Sequence, residues 1–248
     1  NVYPVPDGDT GTNMGLTMEK AATELRKNDF STISAASDSV ASALLRAARG
    51  NSGVILSLLF RGISRKLKGL AEADTKTFAA AMQEGVTAAY KAVMRPTEGT
   101  ILTVSRLIAE SAAGYAGNGE DFEELFSLIL PVGAEALKGT TEQNPVLARA
   151  GVVDAGGMGY VHILDAFLGS LQGRLVSGSV EATADAEAES AVFGEFSTEE
   201  ITFAYDTVYT MRKLQPERPL EGLRAYLGSI GDSLVISEDD EIYKVHVH

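Results

Sequence analysis

The chain has 248 residues, 45% of them hydrophobic, so it can bury a substantial core in one large domain or in one medium and one small domain. It carries 34 acidic against 21 basic residues, a net charge of −13, which argues against nucleic acid and anionic membranes as general partners. Cysteine is absent, so disulfide and thiolate sites are excluded. The sequence shows neither a signal peptide pattern nor an apolar run of about 18 residues, and we expect a cytoplasmic protein without a membrane span.

From Gly11 to about Gly173 the chain has a helical pattern. Apolar residues recur at three- and four-residue spacing, and alanine, leucine and methionine are frequent. Polar breaks divide this region into about eight helices with short connections, which is typical of an up-and-down antiparallel helical array. Four residues at predicted helix starts have side chains that can cap a helix N-terminus: Thr32, Asn51, Thr75 and Asp121.

The pattern changes after the helical region. Residues 177–179 and 181–190 lack large apolar groups and cannot bury a core, so we predict a linker at 174–198. The following segments predict four elements in chain order: an alternating strand Ile201–Tyr209, a helix Leu220–Leu227, a short strand Ser233–Ser237 and a second alternating strand Ile242–His248. We therefore expect a mainly α protein with a helical domain at 1–173, a linker at 174–198 and a small α+β domain from 199. Because the chain starts without Met and stops after a strand, we expect a fragment whose second domain is truncated.

Asp7 and Asp9 form a pair of carboxylates directly before the first helix. In an extended chain residues i and i+2 point the same way, so the two groups can converge on a hard cation such as Mg²⁺. Residues 10–13 would then lie at a helix N-terminus, whose free N–H groups favour an anion. An Asx-type turn that closes onto an N-cap explains the same residues, and both interpretations stay open.

Three later helix starts have a similar composition. Arg49-Gly50-Asn51-Ser52 would offer N–H groups, two polar side chains and a cation to a phosphate, or would form an ordinary turn with an Asn cap. Glu98–Thr103 indicates a further helix N-terminus. The glycines around Asp154 would let the backbone approach a ribose or phosphate, or would meet a need for positive φ.

The histidines suggest a metal site near the end of the chain. His246 and His248 stand at i and i+2 of a predicted strand and so face one side, where a third ligand would complete a Zn²⁺ site. Two ordinary polar strand residues are the alternative. His162 lies in an apolar helical segment, and we expect it to be a core or pocket residue.

Taken together, five stretches in the same order resemble the ATP-binding subunit of bacterial fatty acid kinase, whose N-terminal domain is similar to the nucleotide-binding domain of dihydroxyacetone kinase. The stretches are Asn1–Met14, Ala48–Ser57, Lys91–Met94, Glu98–Val104 and Gly151–Gly157. The resemblance covers nearly the whole chain. It implies a helical barrel of about eight helices with ATP and Mg²⁺ at one end, followed by the beginning of a middle domain.

The resemblance also implies roles for individual residues. Asp7 and Asp9 would bind Mg²⁺ and act in catalysis, and Asn1 is the closest candidate for a third metal ligand that dihydroxyacetone kinase relatives supply with an Asp. Independently of the family, the charge of Arg49 near the phosphates makes it a third candidate catalytic residue. The residues placed around the nucleotide are Thr10, Gly11, Thr12, Asn13, Asn51, Ser52, Gly99, Thr100, Asp154, Ala155 and Gly156. In the middle domain the family has a Cys and two His that look like a zinc site. Here the His are His246 and His248, and the Cys position is Asp206.

The family further implies a partner, a DegV-type fatty-acid-binding protein that presents a fatty acid carboxylate for phosphorylation to an acyl phosphate, in phospholipid metabolism. A carboxylic acid of pKa ~4–5 is ionised at neutral pH, so no general base is required. A homodimer through the missing C-terminal part is left open. Two alternatives remain: a dihydroxyacetone-kinase-like enzyme for small hydroxy-ketones, and a sensor or adaptor that binds ATP without transferring phosphate.

Overall fold

The structure is a computed structural model that describes residues 3, 8–117, 121–174, 203, 205–214 and 219–248. Within these ranges the chain is mainly α-helical with a small α+β part, which confirms the predicted fold class. The helices are α1 Thr10–Lys27, α2 Ile33–Ala47, α3 Gly50–Leu67, α4 Thr75–Ala92, α5 Ile101–Tyr115, α6 Phe122–Gln143, α7 Pro145–Ala150, α8 Ala155–Leu171 and α9 Glu221–Ile230. The strands are β1 Thr207–Arg212, β2 Val235–Glu238 and β3 Ile242–Val247.

Two of the four predicted N-caps are confirmed. The hydroxyl of Thr32 accepts a hydrogen bond from the N–H of Ala35 at 3.2 Å and caps α2. Asp121 accepts from the N–H of Glu124 at 2.9 Å, and the Glu124 carboxylate accepts from the N–H of Asp121 in return, which forms a capping box at α6. These short polar side chains satisfy N–H groups that a helix start leaves without partners.

The other two predicted caps are wrong by one or two residues. α4 is capped by Asp74, whose carboxylate accepts from the N–H of Thr77 at 2.7 Å, so Thr75 is the first helical residue. A carboxylate is a stronger acceptor than a threonine hydroxyl and benefits from the positive end of the helix dipole. α3 follows Arg49, which places Asn51 within its first turn.

The C-terminal elements follow the predicted order with shifted bounds. The expected helix Leu220–Leu227 is α9, and the expected strands Ser233–Ser237 and Ile242–His248 are β2 and β3. The expected strand Ile201–Tyr209 overlaps β1, and its residues 201, 202 and 204 lie outside the described residues. The predicted linker 174–198 lies outside them too, apart from Arg174.

The chain divides into two compact units. The α1–α4 unit joins Asp9–Thr97 to Glu199–His248, so that helices α1 to α4 share a unit with α9 and the sheet. The α5–α8 unit joins Glu98–Thr198 to Asn1–Gly8. Each contains fully buried aliphatic side chains from its own helices. These include Leu44, Leu56, Leu59 and Met82 in the α1–α4 unit, and Ile108, Leu125, Ile129 and Leu147 in the α5–α8 unit.

The three-stranded antiparallel sheet has β3 at its centre, with the order β1-β3-β2. Because side chains alternate along a strand, β3 has two different faces. Val245 and Val247 join the apolar cluster beneath α9 with Leu227. Lys244 and His246 lie on the opposite face and are buried as well, at 5% and 0% exposure. A buried polar face on a central strand requires partners for its polar atoms.

The sheet and α9 are joined to the helices of their unit by backbone and side-chain contacts. The N–H of Met94 donates to the carbonyl oxygen of Leu234 at 3.3 Å. The Arg224 guanidinium reaches the carbonyl of Ala92, the last residue of α4, at 3.5 Å. The second bond meets a carbonyl group at the C-terminal end of α4, where the helix dipole favours a cationic donor.

Candidate functional site

The first candidate motif lies at the start of α1. Asp9 is the exposed N-cap residue, and its carboxylate accepts no hydrogen bond from the N–H groups of the described first turn. Its Oδ2 atom instead accepts from Nδ2 of Asn13 at 2.7 Å. The Asx-cap interpretation therefore does not hold for this carboxylate. Asp7 and Asn1 lie outside the described residues, and the paired metal ligands stay a prediction.

The start of α3 lies directly against the start of α1. A β-carbon placed on Gly50 would fall 2.7 Å from Nδ2 of Asn13, and one placed on Gly53 would fall 2.8 Å from Oγ1 of Thr17. Thr17 also donates to the carbonyl of Asn13 at 2.6 Å. Glycine lets the two helix starts approach without moving these side chains, and Gly50 also has φ +58, which strains any other residue. The structure thus brings together the first two predicted nucleotide-binding motifs.

The polar residues of the α3 start are accessible. Arg49 is the exposed N-cap residue, and its side chain does not accept a hydrogen bond from the helix, since guanidinium is a donor only. Asn51 and Ser52 are half-buried in the first turn. The first-turn N–H groups, two polar side chains and a cation are grouped here, and this set suits an anionic ligand.

The side chain of Lys244, on strand β3, contacts the turn before α3. Sequence patterns did not predict this contact. Its Nζ atom donates to the carbonyl oxygens of Ala48 at 2.6 Å and of Arg46 at 3.2 Å. Burial, and secondarily repulsion from Arg49, lower the pKa of Lys244 to about 8. The one sequence signal was its position two residues before His246, on the same side of a strand.

In the α5–α8 unit, the Gly99–Thr100 motif forms the N-terminus of α5, as its composition predicts. Gly99 has φ +73, and its N–H donates to Oγ1 of Thr103 at 2.8 Å. The Thr103 hydroxyl donates to the carboxylate of Glu98 at 2.7 Å. Thr100 accepts from the N–H of Leu102 at 3.3 Å and caps the helix. Hydrogen bonds among its own residues therefore stabilise this loop.

Asp154 is a buried cap that links two helix starts. Its carboxylate accepts from the N–H of Gly157 at 2.7 Å in α8 and also from the N–H of Ile101 in α5. Burial raises the pKa of Asp154 to about 6, against the lowering effect of these bonds. Ala155 and Gly156 begin α8, and a β-carbon on Gly156 would meet Ile101 at 3.3 Å. Neither Gly156 nor Gly157 has positive φ, so helix packing explains these glycines.

Asn144 is a second residue that sequence patterns did not single out for the site. It is 1% exposed and packs against Gly99, where an added β-carbon would lie 3.0 Å from the Asn144 Cβ. Its Oδ1 accepts from the N–H of Val146 at 3.0 Å and caps α7. Among the residues that the structure describes, its Nδ2 has no hydrogen-bond partner. An unsatisfied buried donor next to a predicted nucleotide-binding loop is suited to a ligand acceptor.

The three residues predicted to bind zinc do come together. Nδ1 of His246 lies 3.2 Å from Oδ1 of Asp206, and the Nε2 atoms of His246 and His248 are 3.3 Å apart. One donor atom from each residue lies within 4.8 Å of the others. This brings a carboxylate and two imidazoles together, a donor set that fits Zn²⁺.

The protonation state of His246 suits metal binding. Burial is the main reason that its pKa is lowered, to about 4, so the ring is neutral at pH 7. Its Nδ1 has no hydrogen-bond partner in the described part of the chain, although it faces the Asp206 carboxylate. Asp232 lies 3.5 Å from Nδ1 of His248 and can orient that ring.

His162 does not occupy the position expected from the sequence. Its side chain is exposed, whereas Tyr160, Leu164 and Leu168 of the same helix are buried. The buried residues recur every four positions, and a residue two positions on from Tyr160 is rotated by about 200° in an α-helix. The core-histidine prediction is therefore wrong.

In the described ranges, none of the helices combines the length and apolarity that crossing a membrane requires.

Comparison with known families gives two matches in chain order. The DAK2 domain family matches residues 4–169. The FakA-like family of fatty acid kinase middle domains matches residues 202–248. Both matches support a kinase-like, nucleotide-binding subunit.

Curated relatives agree with this assignment over the whole chain. Protein YloV of Bacillus subtilis (strain 168) is 42% identical over 255 residues. Uncharacterized proteins of Staphylococcus aureus strains bovine RF122 / ET3-1 and USA300 are each 42% identical over 253 residues. Each match covers 100% of the chain but 46% of the relative, so the chain spans about half the length of these proteins. The chain therefore belongs to the DAK2 domain family and carries, after its helical region, a FakA-like middle domain of the fatty acid kinase type.

Proposed function

We propose that this protein is the ATP-dependent subunit of a fatty acid kinase. It transfers the γ-phosphoryl group of ATP to a fatty acid carboxylate, which a DegV-type fatty-acid-binding protein presents, and the product is an acyl phosphate. In this proposal residues 1–173 form the nucleotide-binding domain, and residues from 199 onward begin the middle domain.

The observation that carries the proposal is the contact between the first turns of α1 and α3 at Asn13 and Gly50. Among the described helices of residues 10–171, these two have N-cap side chains that accept no N–H from their own helix. Two helix N-termini that lie side by side offer several N–H donors and two positive dipole ends to one anion. Thr10, Gly11 and Thr12 belong to the first turn of α1, and Asn51 and Ser52 to that of α3.

Asp9 fits a hard cation next to that anion. Its carboxylate is exposed and is oriented by the Nδ2 of Asn13 at 2.7 Å. We assign Mg²⁺ binding to Asp9 together with Asp7, with Asn1 as the third candidate ligand. Bound Mg²⁺ supplies charge neutralisation at the phosphates. Arg49, exposed at the N-cap of α3, adds a cation of fixed charge.

Within the α5–α8 unit, we assign nucleotide binding to Gly99, Thr100, Asp154, Ala155 and Gly156, as the family resemblance implies. The Thr103 hydroxyl accepts from the N–H of Gly99, Thr100 caps α5, and Asn144 supplies the buried Nδ2 donor. Asp154, Ala155 and Gly156 hold the N-termini of α5 and α8 together, since the Asp154 carboxylate accepts N–H groups from both. Rigid loops of this kind reduce the ordering cost of ligand binding.

The chemistry requires positioning and charge stabilisation rather than a base. The attacking group is a carboxylate, which is ionised at pH 7 because its pKa is ~4–5. Its oxygen forms a bond to the γ-phosphorus, the bond from phosphorus to the β,γ-bridging oxygen breaks, and ADP leaves. Helix N-termini and Arg49 stabilise the charge on the transferring group. Accordingly, no histidine lies among the residues assigned to this site.

The cluster of Asp206, His246 and His248 is proposed as a structural Zn²⁺ site. Asp206 precedes β1 and the two histidines lie at the end of β3, so a shared metal would join these segments. Such a site stabilises a small domain, because the binding free energy of the metal contributes to folding.

The proposal is tested with the complete encoded protein and the variants Asp9→Asn and Asp29→Asn. Asp29 is an exposed acid just beyond the other end of α1, so both variants lose one charge near one helix. Asp9→Asn should reduce Mg²⁺-dependent acyl phosphate formation by at least about 100-fold, because the metal loses a charged ligand. Asp29→Asn should retain wild-type activity.

Equal activity of both variants would contradict the metal assignment. Nucleotide binding without phosphate transfer to a loaded partner would favour the sensor or adaptor. Transfer to a small hydroxy-ketone instead would favour the dihydroxyacetone-kinase-like alternative.

A further inference from the structure

We infer that Lys244 is a positioning residue for the terminal phosphates of the nucleotide, which acts by holding the turn between α2 and α3. The inference rests on the proposed function, since it assigns that turn to phosphate binding. It adds a role for the C-terminal α+β part: strand β3 sets the conformation of a loop in the nucleotide site.

The contact between Lys244 and the turn is short and buried. The Nζ atom donates to the carbonyl of Ala48 at 2.6 Å and to that of Arg46 at 3.2 Å, and the side chain is 5% exposed. Both carbonyls belong to the C-terminal end of α2, where helical partners are missing and the dipole is negative. An ammonium group has three donors, so one side chain can satisfy both oxygens.

The turn is too short to move independently of that contact. α2 ends at Ala47 and α3 begins at Gly50, which leaves Ala48 and Arg49 between them. On the far side, the carbonyl of Arg49 accepts from the N–H of Gly53 at 3.0 Å, and Gly50 lies against Asn13. Fixing the carbonyl of Ala48 therefore fixes the peptide that leads into the first turn of α3.

The charge of Lys244 also favours an anion at this place. Arg49 is close enough to repel the Lys244 ammonium, and this repulsion is unfavourable when the site is empty. A polyphosphate at the α3 N-terminus would relieve it. A buried charge is costly to maintain for packing alone, since an apolar side chain of similar volume would fill the space without desolvation.

Lys213 provides a matched control on the same sheet. It follows β1, its side chain is 9% exposed, and its Nζ donates to Oε2 of Glu238 at 2.6 Å. It also lies 4.4 Å from the ring centroid of Tyr243. Lys213 is thus a buried and paired lysine of the same small domain whose described partners belong to the sheet and not to the α2–α3 turn.

The test compares Lys244→Met and Lys213→Met in the complete protein. Calorimetry with Mg·ADP gives nucleotide affinity, and hydrogen exchange of the nucleotide-free protein follows amides 48–53. Lys244→Met should weaken Mg·ADP binding by about tenfold or more, the fold-change expected from loss of an oriented phosphate turn. It should also accelerate exchange of the Gly53 amide, which donates to the carbonyl of Arg49, by a similar factor, while Lys213→Met leaves both quantities at wild-type values.

Wild-type affinity and exchange in Lys244→Met, or the same changes in Lys213→Met, would overturn the inference. If Lys244→Met does not fold, Lys244→Gln is measured instead, and it should show the same changes in smaller degree because its shorter donor cannot reach both carbonyls. Failure of the wild-type protein to bind Mg·ADP would contradict the proposed function. The exchange measurement would still decide whether Lys244 holds the turn.

Discussion

Asn13 covers the α-carbon of Gly50 so closely that a β-carbon there would lie 2.7 Å from the asparagine Nδ2. Gly50 also has φ +58, in the left-handed region. We expect Gly50→Ala to lose about 1–2 kcal/mol of stability from the backbone alone. It should also lower nucleotide affinity by at least about tenfold, because the Asn13 amide must turn away from the start of α3. Denaturant unfolding and calorimetry measure the two effects.

Gly69→Ala is the control for this prediction. Gly69 follows α3 at its other end with φ +82, and an added β-carbon would meet nothing within 4 Å. The substitution should cost a similar backbone energy of about 1–2 kcal/mol and leave nucleotide affinity unchanged. A loss of affinity in both variants would show that reduced stability, and not the contact with Asn13, is responsible.

Asp154 should make the stability of the protein depend on pH. Burial raises its pKa from 3.8 to about 6, so between these values the folded protein holds a proton that the unfolded chain has released. The contribution of this carboxyl is fully present below pH 3.8 and is lost as pH rises through 6. The loss amounts to at most about 3 kcal/mol.

Asp154→Asn does not ionise and keeps an oxygen for the N–H of Gly157. The free energy of unfolding of this variant, relative to wild type, should therefore rise between pH 4 and pH 6. Because asparagine has one acceptor oxygen instead of two, the variant also loses an amount of stability that does not depend on pH. Urea unfolding at pH 4, 5, 6 and 7 measures the difference. A difference that stays constant over this range would mean that Asp154 is not destabilised by burial.

The metal cluster predicts a specific loss in His246→Ala. His246 is fully buried and shares its site with Asp206 and His248. The variant should lose tightly bound zinc and lower the thermal midpoint of the protein, because metal binding contributes to folding. Metal content after dialysis and a melting curve report both. His162→Ala, at an exposed position on α8, is the matched control and should retain metal; equal zinc in both variants would exclude the site.

Asn144→Ser separates capping from ligand binding. Serine is also a good N-cap, so α7 should keep its cap and stability should change by no more than about 1 kcal/mol. The buried Nδ2, which has no partner within the described chain, is removed. Nucleotide affinity should fall about tenfold if this donor serves the ligand. Wild-type affinity would assign the Nδ2 to some other partner.

The parts of the fold that sequence periodicity predicts are local. Eight helices in the first part of the chain, α9, β2 and β3 all follow from spacing of apolar residues, and Thr32 and Asp121 cap helices through bonds only three residues away. Helix starts were displaced at Thr75 because the preceding Asp74 is the better acceptor. Competition between neighbouring side chains for the same N–H groups therefore decides which residue caps a helix.

Contacts between residues that are far apart in the sequence cannot be predicted from the spacing of residue types. Lys244 and Ala48 are separated by 196 positions, and no spacing rule connects a lysine in a strand to the end of a helix. Likewise, the glycines after Asp154 look like a ligand loop in sequence, yet they serve close packing of α8 on Ile101. The histidine pair was predicted because both members lie on one strand, and Asp206 required the family resemblance.

The central claim is tested most directly by incubating the complete encoded protein with ATP and a DegV-type protein loaded with fatty acid, with and without Mg²⁺. The proposal predicts acyl phosphate in an amount equal to the ADP released, formed only when Mg²⁺ and the loaded partner are both present. ATP turnover that the loaded partner does not accelerate, without acyl phosphate, would contradict it.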